Sequence, residues 1–131
     1  MKEKILEVKN LSFSYKDQKV LSNLSFDVYK GDYFGILGPN GSGKTTLLKL
    51  CLGLISSTEG TIKIFGEDIK DTAQKNKISY ISQKSNAFNV SFPATVQELI
   101  YSSLRSVGYD SKSSKKMTSD AIDLVGIGHI A

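Results

Sequence analysis

The chain of 131 residues predicts an α/β fold. It should open with a small antiparallel β part, continue as a partial sheet with flanking helices around a glycine-rich loop, and close with a helical segment. Three observations carry this expectation. Residues 11–15 and 20–29 alternate apolar and polar with period two, on either side of the polar stretch Lys16-Asp17-Gln18-Lys19. Residues 33–37 form an apolar run without alternation, as a strand buried on both faces does, and run straight into glycines and a second apolar stretch. Beyond Pro93, apolar residues recur at helical spacing in two blocks.

Taken in order, Ile5, Val8 and Leu11 open an extended segment, and 11–15 continues it as a half-buried strand. In 20–29, Leu24, Phe26 and Val28 share one face and Ser25, Asp27 and Tyr29 the other, so the two strands are expected to form an antiparallel hairpin. Lys30-Gly31-Asp32 is a turn, and 33–37 is expected to be a buried strand. A helix over about 44–54 carries Leu47, Leu48, Leu50, Cys51 and Leu52; it is apolar on most sides and should be largely buried. After a loop at 56–60, residues 61–65 alternate as a strand, 67–77 is expected to hold a short helix, and 78–81 another strand. A polar loop reaches Pro93. Thr95-Val96-Gln97-Glu98 reads as a capping box, Thr at the N-cap and Glu three residues on. Val96, Leu99, Ile100, Leu104 and Val107 follow at helical spacing, 108–114 is a polar break, and 115–125 is a last helix with Met117, Ala121, Leu124 and Val125 on one face.

Composition narrows the class. Apolar content of 40% and charged content of 23% are ordinary globular values, and the length suits one domain. The single cysteine, Cys51, excludes an internal disulfide and a Cys-based metal cluster and fits a reducing compartment. No apolar run approaches the roughly 18 residues of a membrane span. Met1-Lys2-Glu3-Lys4-Ile5 is not a secretory signal. The chain is therefore expected to be soluble and cytoplasmic. The net charge of +4 is spread among acids, without the Lys/Arg stripe of a nucleic-acid-binding face, so no nucleic-acid partner is expected.

The strongest chemical signal is Gly38-x-x-x-x-Gly43-Lys44-Thr45, the P-loop pattern. An apolar strand ends and a helix begins there, so unpaired helix N–H groups point outward. Gly38, Gly41 and Gly43 permit the backbone angles and the close approach that a phosphate cradle requires. Lys44 can reach β- and γ-phosphates as a compact cation, and the Thr45 hydroxyl can be a Mg²⁺ ligand. A glycine-rich turn with a chance lysine would lack those flanks.

With these residues read, the sequence resembles the nucleotide-binding domain of ABC transporters. Residues 38–46 are similar to that family's Walker A segment. Leu11-Ser12-Phe13-Ser14-Tyr15 with Val20-Leu21 looks like its adenine-stacking segment, 60–66 like the strand after its first helix, and Tyr80-Ile81-Ser82-Gln83 like its Q-loop. The likeness covers essentially the whole chain and implies a partial P-loop NTPase of the ABC ATPase type. In it, the antiparallel part and P-loop would take up about 1–90, and about 91–131 would begin the helical subdomain. It implies ATP and Mg²⁺ as ligands, with Gly38, Pro39, Asn40, Gly41, Ser42, Gly43, Lys44, Thr45 and Thr46 around the phosphates. Tyr15 would stack on adenine, which stays open against a plain cross-strand aromatic. Val20 would touch ribose or base. Gln83 would reach Mg²⁺ and the attacking water, so Lys44 and Gln83 are the catalytic candidates and Thr45 and Gln83 the metal candidates. As a polar loop residue Gln83 has no such role by itself.

Residues 83–89 and 92–96 look most like ATPases of the zinc/manganese import branch. In the family this stretch docks the membrane permease, so 83–96 is the expected docking segment. Phe92 and Pro93 also fit a hydrophobic staple and a turn. The resemblance further implies a second ATPase subunit, head to tail, and a place on the inner face of the membrane through a permease. The family's Leu-Ser-Gly-Gly-Gln signature, Walker B Asp-Glu and switch histidine do not occur in these residues; Asp120, Asp123 and His129 lack their context. The chain thus reads as the N-terminal part of such a domain, able to bind ATP weakly and expected not to hydrolyse it alone. Two other readings remain. A P-loop kinase or GTPase would need an acceptor site or an Asn-Lys-x-Asp motif, neither of which is visible. The alternative is a non-catalytic nucleotide- or partner-binding fragment, or an ABC ATPase for another substrate.

Overall fold

A computed structural model describes residues 1–83 and 93–130. They fall into two compact units, Met1–Ile81 and Ser82–Ala131.

The first unit is built on a long hairpin, β1 (Lys4–Tyr15) and β2 (Gln18–Tyr29). The expected four-residue turn tightens to Lys16-Asp17, because Tyr15 already pairs with Gln18. Lys16 takes a left-handed angle there (φ +51°). β3 (Glu59–Ile64) pairs with β1, and a two-residue β4 (Glu67–Asp68) pairs with β3, giving the antiparallel order β2-β1-β3-β4.

The apolar phase of β1 changes along its length. Leu6 and Val8 sit at even positions, Leu11 and Phe13 at odd ones, yet all four pack in one core. A bulge near Asn10 (φ +49°) absorbs the extra residue, and a second in β2 near Asn23 (φ +48°) answers it. Each asparagine N–H donates across the ladder to a serine: Asn10 N to Ser25 Oγ (2.8 Å) and Asn23 N to Ser12 Oγ (3.0 Å). β3 accommodates the β1 bulge through Gly60 (φ +86°), where a Cβ would stand 2.5 Å from the carbonyl oxygens of Lys9 and Asn10.

One sheet face meets α1 (Lys44–Cys51), and Val8, Leu11, Phe13, Leu47, Leu50, Ile62, Ile64 and Ile69 close the core. α1 is shorter and less buried than expected. Gly53 (φ +68°) turns the chain away, and Leu54 N bonds back to Lys49 O (2.9 Å). Leu47 and Leu50 are buried, whereas Leu48 and Leu54 are exposed.

Neither the buried strand expected at 33–37 nor the strand expected at 78–81 forms. In the first, Tyr33 and Leu37 are fully exposed, Ile36 is partly buried, and Phe34 stacks on Phe26 (centroids 5.1 Å apart, planes at 13°). In the second, Ile78 packs against the core but Tyr80 and Ile81 face outward. A strand buried on both faces needs a neighbour to take its N–H and C=O groups, and among the described residues neither segment has one. The short helix expected in 67–77 is a 3-10 turn, Ala73–Lys77.

The second unit pairs α2 (Val96–Ser106) with α3 (Ser111–Val125). The capping box is present: Glu98 N donates to Thr95 Oγ1 (3.2 Å), and Thr95 N to Glu98 Oε2 (2.8 Å). α3 begins at Ser111, four residues before the expected start, because Asp110 caps it by accepting from Lys112 N and Ser113 N. The expected apolar face is the wrong one. Ser114, Thr118 and Ile122 are buried, while Met117, Leu124 and Val125 are exposed and Ala121 is intermediate. The Thr118 hydroxyl donates back to Ser114 O (2.7 Å), so it enters the interface satisfied.

Two outcomes follow for stability. Gly60→Ala should cost about 3 kcal/mol or more, since backbone atoms must move as well as angles. Gly66→Ala, equally left-handed (φ +82°) but with nothing within 4 Å, should cost about 1 kcal/mol. Urea midpoints of the two variants check this. In the second unit, the Thr95 backbone N–H and then its hydroxyl hold the Glu98 carboxyl below its ordinary value. A depressed folded value means this stabilisation is complete above the unfolded glutamate pKa of about 4.3 and fades as pH falls through the folded one. Acid titration of α2 amide exchange should show this loss in the wild type and not in Glu98→Gln.

Candidate phosphate-binding site

The loop from Gly38 to Gly43 curls on itself before α1. Ser42 N donates to Pro39 O (3.2 Å), and Gly41 (φ +80°) and Gly43 (φ +91°) take left-handed angles. At Gly38 a Cβ would meet the Ser42 hydroxyl at 2.7 Å, a contact that rotation of the serine side chain relieves. Gly43 is the N-cap residue of α1, and its carbonyl accepts the first helical bond, from Leu47 N (2.8 Å).

What seats the loop is β2. A Cβ on Gly43 would lie 2.9 Å from Val20 Cγ1 and 3.1 Å from Leu21 Cδ2. The helix start is therefore pressed against the hairpin with no room for a side chain. Val20 and Leu21 also pack against the core, so the loop rests on a part of the molecule that does not yield easily.

Lys44 reaches back over the loop. Its Nζ donates to Gly38 O and Pro39 O, both at 2.6 Å, with Ser42 Oγ at 3.4 Å. The ammonium thus faces the concave side of the loop, at the N-terminal end of α1, whose first turn carries no acidic residue. Thr45 is exposed and Thr46 partly buried. This donor set fits a polyphosphate: the N–H groups of the helix start, the Lys44 ammonium over the loop and the close approach at Gly43. For Mg²⁺ the chain offers the Thr45 hydroxyl, which suits an ion that keeps waters and phosphate oxygens as its other ligands. Among the described residues no group of three His, Cys, Asp or Glu could hold a metal ion.

Tyr15 ends β1, half-exposed, with its ring T-shaped on Phe13 (centroids 4.7 Å, planes at 88°). The structure brings Gly38, Pro39, Ser42 and Lys44 together and sets Gly43 on Val20. Gln83 stands exposed at a turn in the second unit. Residues 84–92, with Phe92 and most of the expected docking stretch, lie outside the described residues; Pro93 and Val96 are exposed. Sequence reasoning missed Leu21 as a seat for Gly43. The signal was present, since Leu21 breaks the even-numbered apolar phase of Leu24, Phe26 and Val28.

A protein-family model described as ABC transporter matches residues 21–131. The chain belongs to the ABC transporter family. This family member is similar to the zinc uptake system ATP-binding protein ZurA of Listeria innocua, 46% identical over 120 residues, which covers 92% of this chain and 47% of that protein. It is 37% identical over 98 residues to the high-affinity zinc uptake system ATP-binding protein ZnuC of Bacillus subtilis, covering 75% and 42%. Among solved structures, cbiO1 from Clostridium perfringens superposes with a TM-score of 0.79 at 22% identity, covering 98% of this chain and 53% of that one; the likeness shows the fold. An ATP binding subunit of an ABC transporter matches at 30% identity and a TM-score of 0.65, covering 82% and 45%. The chain spans about half the length of the curated relatives it matches. The fold is that of an ABC nucleotide-binding domain, with the antiparallel part and helices in place.

Cys51 closes α1, and burial pushes its thiol up to about 11. At pH 8 the folded chain should hold on the order of a hundredfold fewer Cys51 thiolates than the unfolded chain. Labelling by a thiol reagent should be correspondingly slow and should accelerate in urea. Since the unfolded thiol ionises first, stability should fall as pH rises above about 9.

Proposed function

We propose that this chain is the ATP-binding part of an ABC transporter subunit that couples ATP to transmembrane transport. The substrate we assign is a divalent metal ion, zinc or manganese, moving inward. One observation carries the nucleotide reading: the Lys44 ammonium and the start of α1 converge on the inner side of the curled 38–43 loop, which is seated on β2. The metal-ion reading rests on similarity to the zinc-uptake ATP-binding proteins.

In this reading Lys44 exchanges the carbonyl oxygens of Gly38 and Pro39 for β- and γ-phosphate oxygens. The exchange is between acceptors and needs no new cation. The backbone of Asn40, Gly41, Ser42 and Gly43 and the first turn at Thr45 and Thr46 bind the remaining phosphate oxygens, and Tyr15 offers a ring face to adenine, with Val20 below ribose or base. Thr45 and Gln83 are the residues that would hold Mg²⁺, which would supply positive charge against the phosphates. Gln83 orients the attacking water in the assembled transporter. The stretch 83–96 meets a permease, and a second ATPase subunit stands head to tail with this one. The β part and loop span about 1–90 and the helical part begins at about 91. No described helix is long and apolar enough to cross a membrane; attachment to the inner membrane face is through the permease.

These 131 residues contain no Asp-Glu pair and no Leu-Ser-Gly-Gly-Gln. A water-polarising carboxylate is therefore not supplied by them, and the polypeptide by itself is expected to bind rather than turn over. Calorimetry with Mg-ATP tests the reading. Binding should weaken at least tenfold in Lys44→Ala and by about 1 to 3 kcal/mol in Tyr15→Ala, the usual worth of one base stack. A folded wild-type chain that ignores Mg-ATP would sink the proposal. Phosphate release above a blank, abolished by Lys44→Ala, would overturn the statement that the chain does not hydrolyse alone.

A further inference from the structure

We infer that Phe13 is a positioning residue for the base end of the nucleotide site; the inference rests on the stacking role proposed for Tyr15. Phe13 and Tyr15 lie two apart on β1 and so share a face, yet one is buried and the other half-exposed. Their rings are T-shaped, 4.7 Å between centroids and 88° between planes. In such a pair at most one face of the Tyr15 ring is covered, and the perpendicular contact fixes the plane of the other. An exposed tyrosine at a strand end, where pairing stops at a two-residue turn, would otherwise sample several rotamers. Phe13 removes that freedom before a base arrives, which is the general way preorganisation strengthens binding.

Phe13 also stands in the layer that seats the phosphate loop. Its partner directly across the ladder is Leu21, whose Cδ2 marks one wall of the space beside Gly43. Base platform and phosphate loop therefore lie on the same hairpin, the loop against Val20 and Leu21 and the Tyr15 ring against Phe13. The distance between adenine and polyphosphate contacts is set by the hairpin and not by the loop.

Phe13→Leu keeps an apolar contact with Leu21 and removes the perpendicular ring. It should weaken Mg-ATP binding roughly three- to tenfold, the range of one aromatic pair. Binding of Mg-tripolyphosphate, which has no base, should not change. In a Tyr15→Ala background the same substitution should have no further effect on Mg-ATP, since its action runs through that ring. Phe13→Met serves as the volume-conserving alternative if the leucine variant melts early. Three results would overturn the inference: unchanged Mg-ATP binding in Phe13→Leu where Tyr15→Ala weakens it, an equal loss for tripolyphosphate, or an undiminished effect in the Tyr15→Ala background. If Tyr15→Ala itself leaves Mg-ATP binding unchanged, the stacking role fails, and Phe13 has nothing to position.

Discussion

Asn10 and Asn23 each place one extra residue in a strand of the same hairpin, and each donates its backbone N–H to a serine on the facing strand. Period two is unforgiving: without a bulge, a strand that buries Leu6 and Val8 would turn Leu11 and Phe13 to solvent. The bulges restore the phase. They bring Leu11 and Phe13 under α1, leave Tyr15 at the turn end of the hairpin, and bring Val20 and Leu21 to the position against which Gly43 closes. The β1 bulge is in turn admitted only because Gly60 presents no side chain to the carbonyls of Lys9 and Asn10. The phosphate loop is thus held by a backbone irregularity some thirty residues before it in the chain.

The far end of the hairpin is organised by charge. Glu7 and Asp27 are directly opposed across the ladder, a repulsive arrangement by itself. Lys4 Nζ sits 2.8 Å from both carboxylates, and Lys9 adds a contact to Glu7 at 3.2 Å. These partners raise the Lys4 ammonium pKa well above its ordinary value and lower that of Glu7. Lys2 with Asp32 and Lys30 with Glu3 close the mouth. Such exposed pairs contribute little each. Their effect is to favour one register, so that apolar burial at the other end always involves the same residues.

A polar relay does comparable work after β3. Glu67 accepts from the Thr72 hydroxyl (2.8 Å) and the Gln74 amide (3.0 Å), Lys77 donates to Gln74 Oε1 (2.8 Å), and its ammonium lies over the Phe65 ring. Residues 65–77 acquire a defined path with only the two-residue β4 and one 3-10 turn of regular structure. In the helical unit, two hydroxyl residues join Ile122 on the buried face of α3. Small Ser114 and Thr118 lie at the contact, and the larger Met117 and Leu124 are left outside.

Local chemistry made part of this legible in advance. The hairpin, the glycine loop, the Lys44 helix start and the Thr95-Glu98 cap follow from residues within a few positions of one another, and for these the amino-acid sequence alone was decisive. Apolar character without partners misled. Residues 33–37 and 78–81 have strand composition, but strand formation depends on a neighbour that composition does not reveal, and none lies beside them among the described residues. On α3 the period was right and the face was wrong, because the buried row is Ser114, Thr118 and Ile122, and apolar periodicity does not mark its two hydroxyl residues. Likewise the pattern G-x-x-x-x-G-K-T named the phosphate loop, whereas its seating on Val20 and Leu21, and the joining of Tyr15 to that seat through Phe13, were decided only by tertiary structure. Contacts between residues more than twenty apart depend on how two bulges set the register, and no local pattern records that outcome.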